Sequence, residues 1–174
     1  MLEIEGHAIV SADGMIGDAA GIVPPDLRND ADWRQYQAAL DRSVLVVLGR
    51  KGHERFPNPG RRRLVLTRAV AGPVPDPADP LAMLWNPAHL TFDAVLAALG
   101  VTAGTVAVAG VFDVLGPRLT AFSLSENHRL VLPGGTPCFS AGHPRTVLAG
   151  LGLRPIGVSI LDADAMVTST EWRR

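Results

Sequence analysis

The stretch VLVVLGRKGHERFPNPGRRRLVLTR, residues 44–68, decides the fold. It contains two continuous apolar runs, residues 43–48 (SVLVVL, which begins one position earlier) and residues 63–67 (RLVLT). Such runs are typical of strands that are buried on both faces of a sheet. The sequence GRKGHERF between them is typical of a strand-to-helix turn. The stretch therefore predicts two buried strands of an α/β protein.

Further strands and helices follow on both sides of this unit. We predict strands at residues 2–10, 81–85 and 105–109, and antiparallel closing strands at residues 124–132, 157–161 and 165–169. Residues 69–80 are rich in proline and are expected to form a surface connection. Alternation of strands and helices indicates a mostly parallel, doubly wound sheet with an antiparallel C-terminal edge. We expect residues 1–174 to form one domain.

Two helices have recognisable starts. Asn29 or Asp30 can cap a helix that runs to about Arg42, and Thr91 can cap a second helix that ends at Gly100. Apolar side chains of the first helix recur at helical spacing, which predicts one buried face. They are Trp33, Tyr36, Ala39 and Leu40.

The composition excludes several classes of function. Hydrophobic residues make up 47% of the chain, and 16 basic residues balance 17 acidic ones, which argues against nucleic acid or an anionic membrane as partner. Cys138 is the only cysteine, so neither an internal disulfide nor a cysteine-rich metal site is expected. No apolar run suits a membrane span, and no secretory signal is evident. We expect a cytoplasmic protein without a bound metal.

Three turns that follow buried strands are suited to phosphate. Parallel strands end on one rim of a sheet, and ligands of doubly wound sheets bind beyond that rim. Helix starts there offer free N–H groups and a positive dipole end. One such turn alone is ordinary turn chemistry, but together they predict a dinucleotide site that lacks the G-x-G-x-x-G pattern. The turns are Gly49-Arg50-Lys51, Thr67-Arg68 and Gly110.

The same segments resemble the dihydrofolate reductase superfamily, including the reductase domain of riboflavin biosynthesis. AIVSADGMIG (residues 8–17) is similar to the family's first strand and the loop that covers the nicotinamide. Residues 44–68 resemble its strand, G-R-x-T turn, short helix and next strand, and this is the most specific of the three matches. VAVAGVFDVL (residues 106–115) is similar to its V-x-G-G motif. The resemblance covers nearly the whole chain.

The resemblance implies NADPH as cofactor. It places Ala8, Ile9 and Ile16 at the nicotinamide, Gly49, Arg50 and Lys51 at the phosphates, Thr67 and Arg68 beside the adenosine, and Gly110, Phe112, Asp113 and Val114 along the pyrophosphate. Arg68 suits a 2′-phosphate because a guanidinium binds that group bidentately.

Two further residues have roles implied by the family. Asp32 lies where dihydrofolate reductases keep the carboxylate that binds the pterin and helps to supply a proton. Asp26 and Asp30 compete for this role, and an acid in the first turn of a helix is also favoured by the helix dipole. Arg61 matches an arginine that binds the glutamyl carboxylate of folate. A run of arginines before a strand is also typical of a solvated edge, and Arg62 and Arg63 have no predicted functional role.

The sequence departs from the family at three places. Val111 stands at the second glycine of the G-G pair, Gly52 replaces the threonine of G-R-x-T, and Ser125-Glu126 replaces an acidic pair.

The preferred function is a stand-alone NADPH-dependent reductase of a pyrimidine or pterin-type substrate, most like the ribosylamino-pyrimidine reductase of riboflavin synthesis. The alternatives are dihydrofolate reductase proper and a non-catalytic nucleotide-binding protein. A homodimer is plausible from the family.

Several residues have mainly structural expectations. We expect His7 to be a packed or edge histidine and Cys138 to be a small buried side chain. His53 follows the GRKG turn and is expected either near the cofactor or simply exposed on the short helix. Gly134-Gly135 is similar to a glycine-rich turn of the family, and a plain hairpin turn explains it equally well.

Overall fold

A computed structural model describes residues 1–174 and shows one large sheet with helices against it. The strands are β1 (Leu2–Ser11), β2 (Met15–Gly17), β3 (Leu45–Gly49), β4 (Arg63–Leu66), β5 (Val74–Asp76), β6 (Asp79–Trp85), β7 (Gly104–Ala109), β8 (Ala121–Asn127), β9 (Thr136–Pro137), β10 (Arg154–Asp162) and β11 (Val167–Arg173). The helices are α1 (Asp30–Arg42), α2 (Arg50–Arg55), α3 (Phe92–Ala98), α4 (Phe112–Leu115) and α5 (Pro144–Gly150), with 3-10 turns at Pro25–Leu27 and Gly116–Arg118. None of the helices is both long and apolar enough to cross a membrane.

Nine strands form the main sheet, in the order β10-β11-β8-β1-β7-β3-β4-β6-β5. The six central strands, from β8 to β6, run parallel to one another. β11 and β10 pair antiparallel at one edge, and β5 pairs antiparallel at the other. The predicted mostly parallel sheet with an antiparallel C-terminal edge is therefore confirmed.

The apolar run of β3 explains why this strand lies inside the sheet. Leu45 and Val47 pack into the larger hydrophobic cluster on one face, while Val46 and Leu48 pack into a smaller cluster under α1 on the other. All four side chains are at most 2% exposed. Each such burial is worth about 1.5–3 kcal/mol, so β3 ties the two clusters together.

The helix starts agree with the prediction. Asn29 caps α1, where its side-chain oxygen accepts hydrogen bonds from the backbone N–H groups of Ala31 and Asp32 at 3.0 and 3.1 Å. Thr91 caps α3. α3 ends at Ala98 instead of the predicted Gly100, because Gly100 has a left-handed φ of 69° that cannot continue the helix.

Three segments differ from the prediction. β8 covers part of residues 124–132 but runs parallel to β1, so its predicted antiparallel direction is wrong. The reason is that α4 and the following 3-10 turn connect β7 to β8 and return the chain in the same direction. α5 (Pro144–Gly150) has no predicted counterpart, and β5 lies within residues 69–80, which were predicted to be irregular.

Arg63 is the clearest correction to the residue-level expectations. It was predicted to lie on a solvated edge, but it begins β4 inside the sheet and is completely buried. Its guanidinium donates to the carbonyl oxygens of Arg61 and Pro57 and forms an ion pair with Asp79. The pattern of three arginines could not show that only the third is enclosed.

Candidate functional site

The three predicted phosphate-binding turns lie side by side. Leu48 of β3 pairs with Ala109 of β7, and Gly49 of β3 pairs with Leu66 of β4. Gly49, Thr67 and Gly110 therefore follow or end three adjacent strands on one rim. The rim predicted from strand ends is present, and it brings these residues together.

The space above this rim is uneven. Gly110 has a φ of 77°, and a Cβ built on it would meet no atom within 4 Å. A Cβ on Gly49 would instead lie 3.2 Å from Cγ1 of Val111. Val111 itself adopts a left-handed conformation with φ 51°, which is unusual for a β-branched residue. The rim is open over Gly110 and narrowed by Val111 over Gly49.

The basic residues of the rim differ in their availability. Arg50 is exposed and forms an ion pair with Glu54 at 3.2 Å. Lys51 and Arg68 are exposed and have no ion-pair partner in the chain. Thr67 is buried, and its hydroxyl accepts a hydrogen bond from the N–H of Ala69 at 3.2 Å. Because exposed ion pairs contribute little, Arg50 could exchange Glu54 for a ligand at small cost.

A cavity of about 310 Å³ lies between α1 and β1. A second cavity of about 220 Å³ shares part of its wall and reaches Gly110. The shared wall makes the two cavities neighbours, and together, as the cleft, they extend from α1 to the rim. The shared lining residues are His7, Ala8, Ile9, Val23, Tyr36 and Phe56.

The residues assigned to the nicotinamide lie on this cleft. Ala8 and Ile9 line both cavities, and Ile16 lines the second. Ile16 belongs to β2, which pairs with β9. This pairing requires glycine at Gly135, because a Cβ there would be only 2.6 Å from the carbonyl oxygen of Gly17.

The residues assigned to the pyrophosphate are divided. Phe112 lines the second cavity, although its ring is buried against the rings of Phe122 and Phe139. Asp113 accepts a hydrogen bond from the N–H of Ser140 at 3.1 Å, and Val114 is exposed. Neither Asp113 nor Val114 lines the cleft. α4 spans only four residues, so the four predicted residues cannot all face a ligand at its N-terminus.

Asp32 lines the larger cavity and is half-buried in the first turn of α1. Burial raises the pKa of its carboxyl group above the ordinary value of 3.8, and the hydroxyl of Ser125 partly opposes this shift. Ser125 Oγ is itself buried and has no partner that satisfies hydrogen-bond geometry. The site therefore holds a carboxyl group that retains its proton to higher pH than a solvated aspartate does.

The competing acids occupy other positions. Asp30 also lines the cavity but is exposed, and Asp26 lies in the preceding 3-10 turn, outside the cavity wall. Arg61 does not line either cavity. Its guanidinium donates to Asp41, Gln37 and Asn58 at 2.6, 2.9 and 2.8 Å, so its donors already have protein partners.

Aromatic residues form the outer wall of the cavity. The ring of Trp33 lies 5.8 Å from that of Tyr36 and 6.0 Å from that of Phe56, measured between centroids. From the sequence, only a packing role was predicted for Trp33 and Tyr36. Tyr36 lies four residues after Asp32 and three after Trp33, and this spacing was a usable signal, since residues three or four apart share a helix face. Phe56 follows α2 and carried no signal.

His53 lines neither cavity. Its Nε2 is 3.2 Å from a carboxylate oxygen of Asp76, and this contact ties α2 to β5. The imidazole of His53 is therefore engaged by a carboxylate of β5 and does not line the predicted cofactor cleft. Gly52, one residue earlier, lines the second cavity and leaves open the space that a threonine hydroxyl would take.

No family model and no curated protein matches the chain. Solved structures do match it over almost its full length. A riboflavin biosynthesis protein from Shewanella sp. PV-4 is 17% identical with a TM-score of 0.70, and the match covers 99% of this chain and 98% of that one. Dihydrofolate reductase from Enterococcus faecalis, solved with NADP(H), is 18% identical with a TM-score of 0.68, covering 99% and 96%.

A third match is a deaminase/reductase from Thermotoga maritima, a diaminohydroxyphosphoribosylaminopyrimidine deaminase and 5-amino-6-(5-phosphoribosylamino)uracil reductase. It is 13% identical with a TM-score of 0.69, and the match covers 98% of this chain and 56% of that one. The chain therefore has the dihydrofolate-reductase-like fold. The resemblance to this superfamily, with its riboflavin-synthesis reductases, is confirmed at the level of the fold.

Proposed function

We propose that the protein is an NADPH-dependent reductase of a pyrimidine or pterin-type substrate, most like the 5-amino-6-(5-phosphoribosylamino)uracil reductases. The observation that carries the proposal is that the two adjoining cavities of the cleft share one wall. One end holds Asp32 with its raised pKa, and the other end reaches Gly110 on the rim. A planar substrate and a dinucleotide can meet in such a cleft.

The residues of the cleft fit NADPH in part. Ala8, Ile9 and Ile16 offer an apolar wall for a nicotinamide ring, and the open space above Gly110 suits a phosphate close to the backbone. Arg68, which has no protein partner, would meet a 2′-phosphate. The narrowing by Val111 over Gly49 works against the fit, and so does the absence of Asp113 and Val114 from the lining of the cleft.

The chemical roles follow from the positions of the side chains. When bound, the reduced nicotinamide supplies the hydride. Asp32 would hold a proton and pass it to the substrate, directly or through one water, and its raised pKa keeps a larger fraction protonated near neutral pH. Trp33, Tyr36 and Phe56 would flank the ring and exclude water from it.

A pyrimidine of riboflavin synthesis is favoured over dihydrofolate. Arg61, the residue expected to bind a glutamyl carboxylate, has its guanidinium occupied by Asp41, Gln37 and Asn58. The opening pattern S-x-D-G-x-I, which includes Ser11 and Asp13, also resembles the riboflavin branch, whereas PGRRRLVLT (residues 59–67) is more similar to dihydrofolate reductases.

The test is a titration followed by a turnover assay. NADPH is added while its fluorescence is followed, and then dihydrofolate and the riboflavin precursor are added separately while the loss of NADPH absorbance is measured. Oxidation with the riboflavin precursor supports the proposal, and oxidation with dihydrofolate alone supports dihydrofolate reductase proper. Failure to bind NADPH contradicts both.

The second candidate is a non-catalytic protein that binds a nucleotide in the same cleft. The contact between Val111 and Gly49 favours it, because it removes space from the rim. Binding of NADPH without oxidation in the presence of either substrate is the result that this candidate predicts.

The proposed assembly is a homodimer formed through β10. This edge strand exposes Ile156, Val158 and Ile160 by 62%, 65% and 73%. The strand also has an unpaired edge, a surface that natural proteins usually protect. Sedimentation should show a dimer that Val158→Lys converts to a monomer, whereas Val131→Lys, at an exposed valine outside β10, should leave it intact. A monomeric wild-type protein contradicts the dimer.

A further inference from the structure

His7 is a buried polar residue that makes no hydrogen bond to the rest of the protein. It lies on β1 opposite Ser123 of β8, is 9% exposed, and lines both cavities of the cleft. Its Nε2 is buried and has no hydrogen-bond partner. A buried histidine without any hydrogen bond is unusual in a folded protein, so its position needs an explanation beyond packing.

The neighbouring polar groups are satisfied without His7. Gln35 donates from Nε2 to the hydroxyl oxygens of Ser123 and Ser169 at 2.9 and 3.0 Å. The nearest carboxylate, that of Glu5, is 3.8 Å from His7 Nε2, which is too far for a hydrogen bond. The imidazole is therefore held beside these groups without being engaged by them.

The imidazole is neutral at physiological pH. Burial, with a further contribution from the positive charge of Arg42, lowers the pKa of His7 to about 4. A neutral imidazole has one donor and one acceptor nitrogen. His7 Nδ1 also has no hydrogen-bond partner in the protein, and unlike Nε2 it is not fully enclosed, so it is the ring nitrogen that a ligand in the cavity can reach. That nitrogen is available as an acceptor.

We infer that His7 is a substrate-specifying residue: its imidazole accepts a hydrogen bond from an amino group or ring N–H of the planar heterocycle that occupies the cavity beside Asp32. The inference rests on the proposed function, since it assigns the substrate class of the same cleft. It selects aminopyrimidines and similar rings, which carry N–H donors on their edges, over apolar rings of the same size. A site built to bond an N–H group rejects ligands that lack it, because its own polar atom would be left unpaired.

The experiment compares His7→Leu with His7→Asn, using 5,6-diaminouracil as the probe and calorimetry without NADPH. His7→Leu should weaken binding of the probe at least about tenfold, the equivalent of one hydrogen bond. His7→Asn should restore most of the affinity, because an amide can present an acceptor from a similar position. In spectra of ¹⁵N-histidine-labelled wild-type protein, the probe should shift His7 Nδ1 upfield.

The melting temperature and the affinity for NADPH distinguish a role of His7 in substrate specificity from a structural role. His7→Leu should keep or raise the melting temperature, because it removes an unsatisfied buried nitrogen, and should leave the affinity for NADPH unchanged. His128→Leu, at an exposed histidine that contacts Thr168, is the matched control and should not affect the probe.

The outcomes are distinct. Equal binding of the probe by wild type and His7→Leu, or no rescue by His7→Asn, overturns the inference even if NADPH is oxidised normally. No binding of the probe by the wild type overturns it as well. In a third outcome, NADPH does not bind but binding of the probe still depends on His7. That result contradicts the reductase proposal and supports the heterocycle site.

Discussion

Val111 Cγ1 lies 3.2 Å from the point where a Cβ would be attached to Gly49, so the turns after β3 and β7 close onto each other through a valine side chain. This valine has φ 51°, a left-handed conformation that costs an L-residue about 1–2 kcal/mol. The packing of Val111 against the larger hydrophobic cluster offsets this cost. A single side chain thus controls both the strain and the width of the rim.

Val111→Gly should widen the rim and tighten the binding of NADPH about five- to tenfold, which corresponds to about 1–1.4 kcal/mol. The free energy of unfolding should change by less than about 1 kcal/mol, since the relief of left-handed strain offsets lost burial and greater chain entropy. Fluorescence titration and urea denaturation measure the two effects.

Met166→Gly is the matched control. Met166 also has a left-handed φ, 53°, but it lies in the turn between β10 and β11, far along the chain from the rim. The variant should show a similar relief of strain with no change in the affinity for NADPH. If both variants change that affinity equally, the width of the rim is not controlled by Val111.

Arg68→Ala should weaken NADPH about tenfold while changing the affinity for NADH less than twofold, because only NADPH carries a 2′-phosphate. Arg68 follows Thr67 on the rim and is exposed without a partner, so the substitution leaves no buried group unpaired. Both affinities are measured by fluorescence at constant ionic strength. Arg34→Ala removes an exposed arginine of α1 that lines neither cavity and controls for net charge. Equal losses for the two cofactors would place the 2′-phosphate elsewhere.

Arg63→Met should lower the free energy of unfolding by about 1–3 kcal/mol, because it removes a fully buried guanidinium that donates to two carbonyl oxygens. The variant leaves Asp79 and the carbonyl oxygens of Pro57 and Arg61 without their donor. Arg62→Met makes the same change one residue earlier, where the side chain is exposed, and should cost about 1 kcal/mol or less. Urea denaturation that finds similar losses for both variants would contradict the structural role of Arg63.

The sequence predicted the sheet well because its central strands are apolar without interruption. The runs of β3, β4 and β7 could only be buried on both faces, and the turns that follow them then had to share one rim. The direction of β8 was missed because apolar content does not distinguish a parallel from an antiparallel strand. Direction depends on the connection, and the short α4 left little periodicity to detect.

The candidate site was predictable from the sequence only where residues at the ends of strands form it. Gly49, Thr67 and Gly110 followed from strand ends, whereas the environments of His7 and Arg63 depend on contacts between distant segments. His7 was read as a packed histidine, and it is packed, but no local pattern could show that its ring would lack a partner and border a cavity. Burial of a polar side chain is a property of the tertiary structure.

Asp32→Asn should slow turnover at least about a hundredfold and leave the affinity for NADPH within about twofold, because the amide keeps the shape but cannot supply the proton. The wild-type rate should fall as pH rises through the raised pKa of Asp32. The variant's residual rate should lack this fall. Asp30→Asn, in the same turn but exposed, should have a much smaller effect on turnover. Wild-type turnover of Asp32→Asn would assign the proton to another group.

The same substitution should change stability with a sign set by the pKa. Asp32 has a folded-state pKa above its ordinary value of 3.8, so the folded protein keeps a proton that the unfolded chain has already lost. Wild-type stability therefore declines as pH rises from about 3.8 through the folded-state pKa. Asp32→Asn lacks this decline and should be more stable than wild type at pH 7.5 but equal to it near pH 3.5. Asp30→Asn should instead be slightly less stable at pH 7.5, since it loses an exposed carboxylate at the start of α1. Urea denaturation at the two pH values measures the differences. An Asp32→Asn variant that is less stable than wild type at pH 7.5 would show that the ionised carboxylate is stabilised in the fold.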